Sequence, residues 1–226
     1  MNEGGKLSIV ATPIGNLEDT TLRALRVLKE ADVIYCEDTR VTKKLLTRYE
    51  IATPLHRLDA NTEARGAEEV VRRLEVGERV AYCTDAGTPG ISDPGYRLVA
   101  VVREAGFTVE AIPGPSALTA ALSIAGVPAD SFRFMGFLPH KKGRQTSLKT
   151  IAAEQGTIVL YESSHRILKL LGELVTVVPE RRLSIVREVT KKFEEVQIGT
   201  AAELGALFVE RPEHTKGEFV IIIAPC

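Results

Sequence analysis

The side chains best placed to do chemistry lie in short polar segments that follow apolar runs. Thr84-Asp85-Ala86-Gly87-Thr88-Pro89-Gly90-Ile91-Ser92-Asp93-Pro94-Gly95 follows the strand-like run 79–83, and Glu37-Asp38-Thr39-Arg40 follows the run 33–36. A carboxylate among glycines can bind nearby backbone N–H groups or face a ligand, and both readings of Asp85 stand. The acidic pair 37–38 either complements the dipole of the helix it opens or forms a polar site edge, with Asp38 or Arg40 facing a substrate. Pro139-His140-Lys141-Lys142-Gly143-Arg144 is a solvated loop or, if it borders a pocket, a set of phosphate contacts to which Lys149 adds. In Tyr161-Glu162-Ser163-Ser164-His165-Arg166 one serine reads as a helix N-cap. His165 and Arg166 are site candidates there, because other loops converge on that edge.

Those segments need rigid supports. Three glycines and two prolines within 84–95 can continue neither a strand nor a helix, so the chain turns back there. A second corner, Ile112-Pro113-Gly114-Pro115-Ser116-Ala117, ends the next strand. Two such corners suggest a small-molecule pocket built largely from backbone, at the sheet edge where open α/β folds place ligands. Apolar runs at 7–11, 33–36, 80–83 and 108–112 alternate with helical patterns. These helices are one capped by Asp19 or Thr20 and carrying Leu22, Leu25 and Leu28, one through Tyr49, one at 63–75 facing inward with Val70, Val71 and Leu74, and one from Gly95. The alternation predicts a parallel sheet with helices on both faces. A helix at 116–125 ends at Gly126, and 127–130 reads as a joint. Strands at 132–137, 157–161, 183–189, 193–198 and 218–223 then predict a mixed sheet, with 187–198 as a hairpin. The expected architecture is α/β in two domains, 1–115 and 116–226.

Composition narrows the functions. With 44% hydrophobic and 26% charged residues the chain reads as an ordinary globular protein, and its net charge of −1 provides no global basic field for nucleic acid. Any RNA contact must come from a local patch. Cys36, Cys83 and Cys226 lack metal-ligand spacing and read as buried, reduced thiols of a cytoplasmic protein. His56, His140, His165 and His214 form no metal motif, so no metal is expected. Neither G-x-G-x-x-G after a strand nor G-x-x-x-x-G-K-[ST] occurs, which disfavours a Rossmann dinucleotide site and a P-loop. The polar start 1–5 does not read as a signal peptide, and no apolar run approaches the ~20 residues of a membrane span.

Taken in order, 11–19 (Ala-Thr-Pro-Ile-Gly-Asn-Leu-Glu-Asp), 37–40, 85–95, Pro113-Gly114-Pro115-Ser116-Ala117, Gly136-Phe137-Leu138-Pro139, Tyr161-Glu162-Ser163 and Gly217-Glu218-Phe219 form a specific set. The set resembles the ribosomal RNA small subunit methyltransferase I branch of the tetrapyrrole methylase superfamily, over residues 7 to about 224. The resemblance implies a tetrapyrrole methylase-like fold, with a parallel-sheet N-terminal domain, a mixed-sheet C-terminal domain and a cleft between them for S-adenosyl-L-methionine. It implies a homodimer that methylates a cytidine 2′-hydroxyl in the decoding region of 16S rRNA, within the 30S ribosomal subunit. Carried over by position, Ile14, Asp85, Gly87, Pro89, Gly90, Ile91, Ser92, Ser116, Ala117, Phe137, Tyr161, Gly217 and Glu218 would line the cofactor site.

A 2′-hydroxyl must lose its proton as the methyl arrives, so a base is expected. Asp38, Asp85 and His165 are the candidates, with Arg40, Lys141, Lys142, Arg144 and Arg166 holding phosphates. The wider superfamily often has Gly-Asp-Pro where this chain has Gly87-Thr88-Pro89, as the ribosomal branch also does. Many members of that branch continue past the last strand, whereas this chain stops at Cys226, which leaves RNA engagement to the two core domains and the dimer. The alternatives are a tetrapyrrole C-methyltransferase, a diphthine synthase-like enzyme acting on protein, and a cofactor-binding ribosome-assembly factor without catalysis. The 5% aromatic content argues against a macrocycle cavity.

Overall fold

Short β-branched runs alternate with amphipathic helices through the first half of the chain, and each run finds a parallel partner. The computed structural model describes residues 5–226 and divides by internal contacts into two units, Met1–Ser116 and Ala117–Cys226. In the first unit β1 (Lys6–Val10), α1 (Leu22–Glu30), β2 (Val33–Cys36), α2 (Thr39–Arg48), β3 (Leu55–Arg57), α3 (Glu63–Glu75), β4 (Arg79–Cys83), α4 (Tyr96–Glu104) and β5 (Thr108–Ile112) follow in order. The sheet order is β3-β2-β4-β1-β5, and every pair is parallel.

Alternate residues of β2 and β4 feed two cores. Val33, Tyr35, Val80 and Tyr82 pack with Val70, Leu74, Leu98 and Val102 of α3 and α4. Ile34, Cys36, Ala81 and Cys83 pack with Leu28, Leu45 and Leu46 of α1 and α2 on the other face. A strand covered on both faces must be apolar at every position, which is why these runs show no polar alternation.

Three local details differ from expectation. α1 is capped by Thr21, whose hydroxyl accepts from the Ala24 N–H at 3.0 Å, because Leu17–Asp19 forms a separate 3₁₀ turn capped by Asn16. β3 was not anticipated, since three residues following a proline carry no readable period. Cys226 is exposed, while Cys36 and Cys83 are buried, and all three are free thiols.

The second unit contains α5 (Ala117–Ile124), β6 (Phe132–Phe137), α6 (Arg144–Ala153), β7 (Thr157–Ser163), α7 (Ile167–Val177), β8 (Leu183–Arg187), β9 (Glu195–Gly199), α8 (Ala201–Glu210) and β10 (Glu218–Ile223). Its order is β6-β7-β10-β8-β9, with β6 and β7 parallel and the other pairs antiparallel. The sheet is therefore mixed, as expected, and β8 with β9 forms the anticipated hairpin. β9 starts at Glu195 rather than residue 193, and Phe193 stands exposed in the turn. α6, α7 and α8 cover one face of this sheet and α5 the other. Among the described residues no helix is long and apolar enough to cross a membrane.

Arg144 corrects a sequence reading. It is not a phosphate contact but a buried residue, 4% exposed, whose Nε and Nη2 grip the Glu173 carboxylate of α7 at 2.9 and 2.5 Å. Its Nη1 donates to the Pro139 carbonyl at 3.1 Å, so the guanidinium ties the 139–143 loop to α7. Removing one partner of a buried pair strands the other charge. Arg144→Ala should therefore lower unfolding free energy by about 3 kcal/mol, whereas Lys141→Ala on the exposed loop stays within about 0.5 kcal/mol. Urea denaturation of the two variants measures the contrast.

Candidate active site

Parallel pairing of β1 with β4 and β5 brings the segments after these strands to one edge. Thr12 and Gly87 exchange two backbone hydrogen bonds of 2.9 Å, and the Thr12 hydroxyl donates to the Thr84 carbonyl at 3.1 Å. Thr88 reaches the next corner, its hydroxyl donating to the Pro115 carbonyl at 3.2 Å. Gly87 has φ +79°, a conformation that side-chain-bearing residues rarely adopt, and an added Cβ would stand 3.4 Å from Ile14 Cγ2. Three corners are thus stitched by backbone. Pro89 is buried within the long loop, while Gly90, Ile91 and Ser92 are exposed. Ser92 holds φ +63°, a rare conformation for a non-glycine residue.

Beneath the loop, buried Glu63 of α3 accepts through Oε1 from the N–H groups of Gly95, Arg97 and Leu98 at 2.9 to 3.1 Å. A carboxylate so placed satisfies the first amides of α4 and fixes where the loop ends. Tyr82 lies under the same stretch, with a buried hydroxyl that finds no partner among the described residues.

The carboxylates along this edge have different environments. Asp38 caps α2 by accepting from the Arg40 N–H at 2.8 Å, and Arg40 Nε and Nη2 fork onto its two oxygens. Those bonds hold its carboxyl well below the usual range, which disfavours Asp38 as a proton acceptor. Asp85 accepts the Asp38 N–H through Oδ1 at 3.0 Å, and burial raises its pKa against that bond. Glu37 is raised by burial and by the charge of Asp85. Asp93 is pushed up to about 6 by burial, then by Glu37 and Asp85.

Asp93 was not singled out from the sequence, and Glu37 entered only as part of the acidic pair 37–38 at a polar edge. The one available signal was Asp93 sharing a glycine-bent loop with Asp85. Cys83 is fully buried, and burial pushes its thiol up, which disfavours the thiolate. Among the described residues no cluster of His, Cys, Asp and Glu is arranged to hold a metal ion.

In the second unit, the ends of β6 and β7 and the start of β10 share a sheet edge, with Ser163 opposite Glu218. Phe137 is 52% exposed there, set edge-on to Tyr161 at 5.6 Å and beneath Arg166 at 6.0 Å. Arg166 is not a free phosphate contact either. Its Nε meets the buried Glu162 carboxylate at 2.6 Å and its Nη1 the Leu138 carbonyl at 2.9 Å. Gly217 holds φ +115°, strained for any other residue, and an added Cβ would stand 2.6 Å from Glu188 Cγ, so that side chain would have to move. Ser164 clasps the glycine, donating to the Gly217 carbonyl and accepting its N–H. Glu218 pairs with Lys191 at 2.6 Å. His165, Lys141 and Lys142 are exposed, and Ser116 and Ala117 are half-buried.

Residues 6–205 match the family model for tetrapyrrole (corrin/porphyrin) methylases. The chain is 47% identical over 225 residues to a Xylella fastidiosa protein named ribosomal RNA small subunit methyltransferase I, spanning 99% of this chain and 82% of that protein. A Thermotoga maritima protein of the same name is 41% identical, spanning 97% of this chain and 98% of its own length. Among solved structures, uroporphyrin-III C-methyltransferase from Thermus thermophilus, complexed with S-adenyl homocysteine, superposes with a TM-score of 0.66 at 20% identity. That likeness covers 97% of each chain and establishes the fold.

The raised carboxyl of Asp93 has a consequence for stability. A group protonated more readily in the native state stabilises it fully below the ordinary pKa, and that contribution is lost as pH rises through the folded value. For Asp93 the window runs from 3.8 to about 6. Asp93→Asn should therefore flatten the fall of the thermal midpoint across this window and leave the variant more stable than the parent above it. Calorimetric scans at stepped pH measure this.

Proposed function

The chain belongs to the tetrapyrrole (corrin/porphyrin) methylase family and, within it, to the ribosomal RNA small subunit methyltransferase I group, and on that premise we propose that it methylates 16S rRNA with S-adenosyl-L-methionine. The observation that carries this reading is near-full-length likeness to proteins of that name, against much lower identity to the corrin and porphyrin enzymes of the same fold. The position methylated is the 2′-oxygen of a cytidine in the decoding region, the activity that the sequence motifs imply. The protein acts in the cytoplasm, on the 30S subunit, as a homodimer.

The residues of the first sheet edge suit this cofactor. A glycine-bent, backbone-stitched corner can approach a nucleoside closely, and the carboxylates of Glu37, Asp85 and Asp93 favour ribose hydroxyls and a cationic sulfur. The Tyr82 hydroxyl, without a partner among the described residues, lies beneath the same loop. Within this unit Ile14, Asp85, Gly87 and Ser116 would hold the group. When bound, S-adenosylmethionine supplies a methyl on a sulfonium, an electrophile that a ribose oxygen can displace without a metal.

This chain's residues orient the hydroxyl and take its proton. Asp85 is the base. Its pKa is raised rather than lowered, and Asp38 fixes its orientation through a backbone N–H. Asp38 serves as the anchor, locked to Arg40 and to the first turn of α2. Burial keeps the proton affinity of Asp85 up, and its charge in turn raises Glu37 and Asp93.

Purified protein, radiolabelled cofactor and 30S subunits test the reading. Label should appear in 16S rRNA as a base-stable 2′-O-methyl nucleotide. Asp85→Asn should slow transfer about 10²-fold or more while calorimetry still detects binding of the demethylated cofactor. Label in a porphyrin or in protein would overturn the substrate assignment, and an undiminished rate in Asp85→Asn would remove the base. Gel filtration with light scattering tests the dimer.

A further inference from the structure

Along α2, Arg40, Lys43, Lys44, Thr47 and Arg48 recur at i, i+3, i+4, i+7 and i+8. That spacing puts them on one face of the helix, opposite the buried Thr42, Leu45 and Leu46. The face carries four cations, and the helix holds no carboxylate at all. Lys43, Lys44, Thr47 and Arg48 are exposed, and among the described residues neither lysine nor Arg48 enters an ion pair. Arg48 lies over the Tyr49 ring at 5.6 Å, and Arg40 alone is paired, with Asp38 in the first turn. Besides Asp38 and the acidic edge at the amino end, further acids lie at the carboxyl end of the helix. These are Glu50, and Glu18 and Asp19 beside Leu17, whose carbonyl accepts the Tyr49 hydroxyl at 2.7 Å.

A cavity of about 580 Å³ opens beside this face. Thr39, Arg40, Lys43 and Thr47 line it from the helix, and Thr53 and Leu55 from the segment that follows. Cations interleaved with hydroxyls on an apolar floor are what a phosphodiester backbone with ribose hydroxyls requires. Charge also decides where such a strand can run. The edge formed by Glu37, Asp85 and Asp93 repels phosphates, while Arg144 and Arg166 of the second unit are engaged with Glu173 and Glu162. α2 begins at that acidic edge, where Asp38 meets Asp85, and its cationic stripe leads away from it for about 12 Å.

We propose that the Lys43–Lys44–Arg48 face of α2, with the adjoining threonine-lined cavity, is a docking surface for single-stranded RNA that grips the phosphates flanking the methylated nucleotide. The surface rests on the RNA-methylating reading above and adds to it the element that holds the strand.

The test compares the parent with the variant K43A/K44A/R48A, a charge-retaining variant K43R/K44R/R48K, and R72A on α3 as a control cation. Filter binding to naked 16S rRNA and to 30S subunits is measured over a range of salt, beside calorimetry with the demethylated cofactor. The alanine variant should weaken RNA affinity about tenfold or more and reduce the slope of log affinity against log salt by about 2 to 3. The charge-retaining variant and R72A should behave as the parent, and cofactor affinity should stay unchanged throughout. A parent that methylates RNA while the alanine variant keeps its affinity and salt slope overturns this surface alone. A loss confined to assembled subunits, absent with naked rRNA, makes the occupant a ribosomal protein and also overturns it. A parent that neither binds nor methylates RNA overturns the underlying reading and the surface with it.

Discussion

The parallel pairing of β1 with β4 is the constraint from which the candidate site follows. Once Leu7 lies beside Val80 and Ile9 beside Tyr82, both chains leave the sheet at the same edge and in the same direction. Their exits meet in the reciprocal Thr12–Gly87 hydrogen bonds, and β5 on the other flank of β1 delivers the Pro113 to Pro115 corner to the same place. Parallel strands need crossover helices, so no short hairpin could have joined these loops. The site is made of backbone because the topology, not any one side chain, brings its parts together.

Electrostatics then divides labour within the first unit. At the sheet edge Glu37, Asp85 and Asp93 place three acidic groups in a half-buried space, where burial raises all three and the charge of Asp85 raises the other two further. Such a place suits a cationic sulfur, ribose hydroxyls and a base that retains proton affinity. It does not suit phosphate. One helix turn away α2 carries the opposite charge, and Asp38 marks the boundary, facing Asp85 through its N–H and Arg40 through its carboxylate. A methyl donor and a polyanionic acceptor can be handled by one unit because their charges are met on different elements.

The second unit uses its arginines differently. Arg144 and Arg166 each hold one carboxylate and one carbonyl of the 138–139 turn, so the exposed lysines beyond it stand on a braced loop. Phe137 is kept at the surface by Tyr161 and Arg166 rather than folded into the core. The clasp of Ser164 on Gly217 fixes the start of β10 beside the end of β7. These contacts make the sheet edge rigid.

Much of the fold was legible in the chain. Doubly covered strands must be continuously apolar, so the runs at 33–36 and 80–83 declared themselves, as did the helix Glu63–Glu75 and the glycine-bent corners. β3 did not, being too short for a period, and the cap of α1 fell to Thr21 because a separate turn took the residues before it. The ordered motifs identified the family, since their spacing is a property of the chain itself. What a charged residue faces is a different matter. Arg144 and Lys141 look alike in sequence, yet one meets Glu173 from a helix 29 positions away and the other meets solvent. Asp38 and Asp93 are both loop aspartates, yet a guanidinium lowers the pKa of one while burial beside carboxylates pushes the other up to about 6. Sequence determines the local elements and the kinds of group on offer, because backbone preference and hydrophobic period are short-range. Tertiary structure alone decides which charges meet and which are desolvated, because Coulomb energy and burial depend on neighbours that the chain brings together only by folding.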